Sequence, residues 1–198
     1  MRRTVKQDFR KAAIARRNGL DAGQRSQWDA AIAHHIMAHE VFQAARGVMG
    51  YMAIGSEASE GLVLEAALAQ GKAVFLPKVP ERPGERMLVG QVDKLSQETL
   101  AVFDERYGIW EPRCTFETND SAWMDKLDVV LVPACACTLD GWRCGYGAGY
   151  YDRFLRMLPE RVYRLGVVYG AQLVTEIPLE SHDVRLDGVV TEDGIFMR

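Results

Sequence analysis

No run of the sequence is apolar for the roughly 18 residues that a membrane-crossing helix needs. A membrane partner is therefore not expected. The opening residues, MRRTVKQDFRKAAIARRNG, are charged throughout, and no apolar signal segment follows them. Arg2-Arg3 is accordingly not read as a twin-arginine export signal, and the expected location is the cytoplasm. Cysteine is scarce: Cys114, Cys135, Cys137 and Cys144 are the whole complement. A disulfide framework does not suit a cytoplasmic chain of 198 residues. A Cys-x-Cys pair lacking a second pair or a spaced histidine is poor ground for zinc. Small buried or loop thiols are the expectation. Positive charge is not in excess either: 24 Lys and Arg stand against 27 Asp and Glu, a net charge of −3. No general basic field invites nucleic acid, so an anionic ligand must be met by local positive groups. The modest charge is compatible with a monomer, which is the expected state. Repeats, low-complexity stretches and linkers are absent, and residues 1–198 are expected to form one domain.

What is present alternates helical and strand-like periods. Residues 4–18 have a helical pattern in which Lys6 and Arg10, four apart, share a basic face that Arg17 extends. Left to composition alone, that face would be solvated. Asp21 with Gln24 resembles a capping box. The helix that follows, to about His39, lines up Trp28, Ile32, His35 and Ile36 as core. GVMGYMAI (47–54), KAVFLPKV (72–79), MLVGQV (87–92), LDVVLVPA (127–134) and YRLGVVYG (163–170) have strand character, and DGVVTEDGIFM adds one or two strands. Helices are expected over 60–70 and about 150–158, and a turn at RPGE (82–85). The stretch from Asp93 to Ala122 carries no clear pattern. The alternation predicts a three-layer α/β/α sandwich around a mostly parallel central sheet. Ligands in such folds sit at the carboxyl ends of strands, where Glu57, Lys78 and residues 137–152 are expected to converge.

The segment CTLDGWRCGYGAGYYDRFL (137–155) is the most unusual. Gly145, Gly147 and Gly149 alternate, which frees backbone N–H groups to approach a ligand. A helix starting near Tyr150 would add its positive end. Arg143 and Arg153 flank the loop, and arginine suits phosphate oxygens. A dinucleotide fingerprint fails because its third glycine falls on Tyr150, and a P-loop fails for want of Gly-Lys-Ser/Thr. The reading is a nucleotide-phosphate loop of another kind, with a plain glycine-rich turn as the alternative. Asp152 beside it and Asp183 in ESHDVRLD are candidate magnesium ligands; His182 is read as an ordinary loop residue.

With those pieces placed, nearly the whole chain resembles the 5-formyltetrahydrofolate cyclo-ligase family. The resemblance rests on KQDFRK, YMAIGSE, FLPKV, YGIWEP, DVVLVPACACTLDGWRCGYGAGYYDRFL and IPLESHDVRLDGVVTE. Its most specific part is the Arg-x-Gly-x-Gly-x-Gly-Tyr-Tyr-Asp-Arg run from Arg143 to Arg153. The resemblance implies ATP- and magnesium-dependent cyclisation of 5-formyltetrahydrofolate to 5,10-methenyltetrahydrofolate, releasing ADP and phosphate. It implies that ATP is held by Lys6, Arg10, Arg143, Cys144, Gly145, Tyr146, Gly147, Ala148, Gly149, Tyr150 and Tyr151. Lys6 and Arg143 carry the catalytic charge, Asp152 and Asp183 bind magnesium, and Met52 and Glu57 contact the reduced folate. Cys135 and Thr138 stand where the family usually has glycine and a bulky aromatic, and Ala148 replaces a common glycine or lysine. Looser folate packing is the expected consequence at Cys135 and Thr138. Glu57 has an alternative as a solvated cap on the next helix. Tyr150 and Tyr151 stack on substrate or pack the helix, and Trp110 lines the folate pocket or packs in the core. A non-catalytic nucleotide- or folate-binding relative and a small-molecule kinase are the competing functions.

Overall fold

Strand alternation decides which helix packs where. The computed structural model describes residues 5–80, 82, 85–96, 100, 102–105, 108–113, 115–116 and 121–198. Helices α1 (Val5–Asn18), α2 (Ala22–Ala38) and α3 (Glu40–Ala44) precede β1 (Gly47–Met49). Then come α4 (Gly61–Ala69), β2 (Ala73–Lys78), β3 (Leu88–Val92), β4 (Val102–Asp104), β5 (Ile109–Glu111), α5 (Ser121–Met124) and β6 (Val129–Pro133). The chain continues through β7 (Ala136–Cys137), β8 (Arg143–Cys144), α6 (Tyr150–Leu155), β9 (Tyr163–Val167), β10 (Gly188–Thr191) and β11 (Gly194–Met197). Seven strands form one sheet in the order β11-β10-β9-β6-β1-β2-β3. The five inner strands are mutually parallel, and an antiparallel strand closes each edge.

Successive strand residues face opposite sides of the sheet. Val48, Val74, Leu76, Val129, Leu131 and Val190 bury one face against Ile32 and Ile36 of α2 and Val63, Leu64 and Ala67 of α4. Met49, Phe75, Val130, Val132 and Val189 bury the other against Trp123 of α5 and Phe154 and Leu155 of α6. This is the expected three-layer sandwich. All five residues of β6 are buried, as a central strand covered on both faces requires. No helix among the described residues is long and apolar enough to cross a membrane.

Several boundaries differ from the sequence expectation. The run 47–54 is a strand only to Met49. Gly50 N still donates to Phe75 O at 3.0 Å, after which the chain leaves the sheet to wall the cavity described below. The segment from 137 is not wholly loop: β7 and β8 pair antiparallel, Ala136 with Cys144 and Cys137 with Arg143. Helix α6 ends at Leu155 rather than Leu158. The stretch after Asp93 contains β4, β5 and α5. Asp21 caps α2 by accepting from Gln24 N at 3.0 Å. Part of the RPGE turn and Cys114 lie outside the described residues.

Candidate functional site

A cavity of about 230 Å³ opens at the carboxyl ends of three adjacent parallel strands. Tyr51, Met52, Ile54 and Glu57 wall it after β1, Pro77 at β2, and Pro133 at β6. Residues 145–152, with Arg143, also line it. The expected convergence therefore holds for Glu57 and the glycine loop. It does not hold for Lys78, which lines a separate cavity with Arg82 and Arg86.

The alternating glycines are explained by what lies behind them. A Cβ at Gly145 would meet Arg143 Nη1 at 2.6 Å, and one at Gly147 would meet Arg10 Nη1 at 2.9 Å. One at Gly149 would meet Arg153 Nη1 at 3.1 Å. Each glycine is thus pressed on a different guanidinium. Gly147 and Gly149 also have φ of +105° and +68°, which side chains of L-residues rarely adopt. Gly149 is the N-cap of α6, so the helix begins where the loop ends. The loop is a strip of bare backbone laid over three cations.

Helix α1 supplies the second basic layer. Its inward face reads Lys6, Arg10, Ala13, Arg17, spaced for one side of a helix. The solvated alternative for this face is thereby overturned: Lys6 and Arg17 are buried. Arg10 Nε donates to Gly145 O at 2.6 Å. Lys6 Nζ donates to both carboxylate oxygens of Asp183, at 2.7 and 2.6 Å, and to Glu180 Oε2 at 3.1 Å. Burial works against the charged amine, but its hydrogen bonds to Asp183 and Glu180 prevail and hold its pKa above the usual lysine value. Burial likewise disfavours the Asp183 anion, and Lys6 more than compensates, so its pKa lies below the usual range.

Arg143 is buried, and its Nη2 donates to Asp152 Oδ1 at 2.8 Å. Its guanidinium lies 5.7 Å from the Tyr151 ring centre. Its Nε is enclosed without a partner, as is the Tyr151 hydroxyl. Asp152 turns only Oδ1 to Arg143. Asp152 lines the cavity, whereas Asp183 does not. Glu180, His182 and Asp183 are the one group of three potential metal ligands among the described residues, and Asp152 is not a member.

Glu57 is buried and lines the cavity, which overturns the solvated-cap alternative. Its Oε2 accepts from Ile54 N at 2.7 Å. Burial raises its pKa, partly offset by Tyr146, Ile54 N and Arg17. Tyr150 and Tyr151 both line the cavity and both pack against the core beneath α6. Trp110 packs on the core and against Phe103, with ring centres 5.2 Å apart, and Ile109 takes the place on the cavity wall. Cys135 and Thr138 do not line the cavity, so looser folate packing does not follow from them. Thr138 instead closes the β7–β8 turn, its Oγ1 accepting from Trp142 N at 3.0 Å. Cys135 and Cys144 pack against Ala13 and Ile177, and Cys137 sits in the core under α6. Burial pushes the Cys135 and Cys137 thiols up to about 12, as inert buried thiols require.

Arg17 is a member of the site that had no role assigned from sequence. Its position on the Lys6–Arg10 face was the available signal. Nothing marked it as buried, because its partners Ser56 and Tyr146 are 39 and 129 residues away.

The sequence model of the 5-formyltetrahydrofolate cyclo-ligase family matches residues 2–192. A 5-formyltetrahydrofolate cyclo-ligase of Mycolicibacterium smegmatis is 34% identical over 146 residues, covering 74% of this chain and 73% of that protein. One from Mus musculus is 23% identical over 196 residues, covering 96% and 95%. A solved 5,10-methenyltetrahydrofolate synthetase of Aquifex aeolicus has the same fold, with a TM-score of 0.80 at 24% identity over 98% of this chain and 93% of that one.

Proposed function

The chain belongs to the 5-formyltetrahydrofolate cyclo-ligase family, and from that premise we propose that its cavity closes the ring of 5-formyltetrahydrofolate at the expense of ATP. Residues 1–198 act as one cyclo-ligase domain. The observation that carries this reading is the bare-backbone strip over Arg10, Arg143 and Arg153 at the mouth of the cavity. Backbone N–H groups and adjoining cations together suit a polyphosphate.

A formamide oxygen leaves poorly. In the proposed reaction it attacks the γ-phosphorus and ADP departs. N10 of the same folate then attacks the formyl carbon and loses its proton, and phosphate carries the oxygen away. Attack within one bound molecule has a large proximity advantage. The chain's task is to align the two substrates and balance charge on the transferring group. Arg10, Arg143 and residues 144–151 hold the phosphates, and Lys6 completes the charge from α1. Met52 and Glu57 face the folate, where a carboxylate can accept two parallel N–H bonds. Magnesium, when bound, neutralises phosphate charge. Asp152 fits that role because Oδ2 is not engaged by Arg143. Asp183 fits it only by giving up Lys6, which occupies both its oxygens. The protein acts as a monomer on small molecules in the cytoplasm, where the buried, unpaired Cys135, Cys137 and Cys144 suit a reducing compartment.

The test is growth of methenyl-product absorbance from ATP and 5-formyltetrahydrofolate. Arg143→Ala and Asp152→Asn are expected to lose about 100-fold in rate, in line with the loss of one preorganised charge contact. Both should keep their fold by circular dichroism. Near-normal rates in both would refute the assignment, and a stable phosphorylated product would favour a kinase instead.

A further inference from the structure

Arg17 touches two stretches of chain that line the cavity. It is 4% exposed, and its Nη1 lies 3.9 Å from Glu57 Oε1. The same nitrogen donates to the hydroxyl of Tyr146 at 2.5 Å, so Arg17 Nη1 faces Tyr146 and Glu57 together. Tyr146 is 44% exposed as a residue, but its hydroxyl is turned inward to Arg17. The Arg17 guanidinium also lies 5.7 Å from the Tyr146 ring centre. On its other edge, Arg17 Nε donates to Ser56 Oγ at 2.9 Å, and Ser56 in turn donates to Asn18 Oδ1 at 2.5 Å.

One guanidinium therefore grips adjacent residues of the 55–57 turn and the residue between two glycines of the loop. Glu57 and Tyr146 both line the one cavity. Arg10 holds the loop at Gly145 O, and Arg17 holds it at Tyr146. A phosphate that moves the loop backbone must move the Tyr146 hydroxyl with it, and so change the hold on Glu57. A buried cation is costly to leave without its partners, so Arg17 favours the arrangement that keeps Tyr146 and Glu57 beside it.

We infer that Arg17 is a positioning residue that couples occupancy of the glycine loop by nucleotide to the readiness of Glu57 for the second substrate. Nucleotide and reduced folate then bind cooperatively, and the coupling runs through Arg17, between Tyr146 and Glu57. The inference rests on the ring-closure reading for the identity of the two ligands.

The test is calorimetric titration of 5-formyltetrahydrofolate into the full chain, with and without magnesium and the β,γ-imido analogue of ATP. The wild type is expected to bind the folate about fivefold or more tightly when the analogue is present, and linkage requires the analogue to gain by the same factor. Arg17→Gln and Tyr146→Phe should each bring that ratio to near one. A merely structural arginine would weaken both single-ligand affinities and leave the ratio unchanged, and that result would overturn the inference. So would a wild-type ratio of one. If Arg17→Gln does not fold, Tyr146→Phe decides alone, since it keeps the ring and removes only the hydroxyl. Failure of either ligand to bind the wild type at all, with no methenyl product formed, would instead overturn the ring-closure reading.

Discussion

Glu60 stands at the N-cap of α4, but its side chain turns to the cavity wall instead of capping the helix. Oε1 accepts from Tyr51 N at 2.8 Å, and Oε2 is buried without a partner. Burial pushes its pKa from 4.5 to about 8. Between those values the folded chain keeps a proton that the unfolded chain has lost. Stability should therefore fall as pH rises through that window, and be lowest above about 8. For one group the slope is at most about 1.4 kcal/mol per pH unit. Glu60→Gln, which mimics the protonated form, should flatten the curve. Thermal midpoints of both proteins from pH 5 to pH 8 measure this, and parallel curves would contradict it. Single residues were the least legible part of the sequence. Glu60 and Arg17 look like ordinary surface charges there, because burial of a charge depends on partners that spacing does not reveal. Glu57 was placed at a strand end by pattern and given its folate role by resemblance, and its burial came only with the fold.

Among the elements, α1 was legible as a helix with one basic side, but not as a helix whose basic side faces inward. Periodicity gives the face and leaves its direction open. The β7–β8 hairpin was hidden for a different reason: strands of two residues are too short to display a period of two. The fully apolar β6 was clear, since nothing polar interrupts it. Helix α1 is pinned at its start by Lys6 on Asp183, a pair whose side chains are 10% and 5% exposed. Asp183→Asn would leave the buried ammonium with Glu180 alone. It should lower stability by about 3 kcal/mol, the scale for breaking a buried pair. Urea unfolding checks this. Replacing both members by apolar residues, Lys6→Met with Asp183→Leu, should lose less stability than Asp183→Asn alone.

At the scale of the whole molecule, the sandwich and its mostly parallel sheet follow from alternating segments, and both antiparallel edge strands also had strand patterns. Their order in the sheet did not, since strand order rests on contacts between distant segments. The cavity gathers residues from the turn after β1, the ends of β2 and β6, and the loop before α6. A ligand that bridges these parts should stabilise the whole chain. At a concentration 100 times its dissociation constant, magnesium-ATP should add about 2.7 kcal/mol. Thermal unfolding should show the gain for the wild type and not for Arg143→Ala at the same nucleotide concentration. An equal gain in the variant would argue that the nucleotide sits elsewhere.

The bond between Lys6 and Asp183 spans 177 residues. On a ribosome, synthesis proceeds at about 5–20 residues per second. The first helix must therefore wait roughly 10–40 s, at those rates, before the carboxylate that neutralises its lysine has even been made. During that interval the basic stripe has no settled home, and a nascent chain of this protein would present it to the polyanions around it.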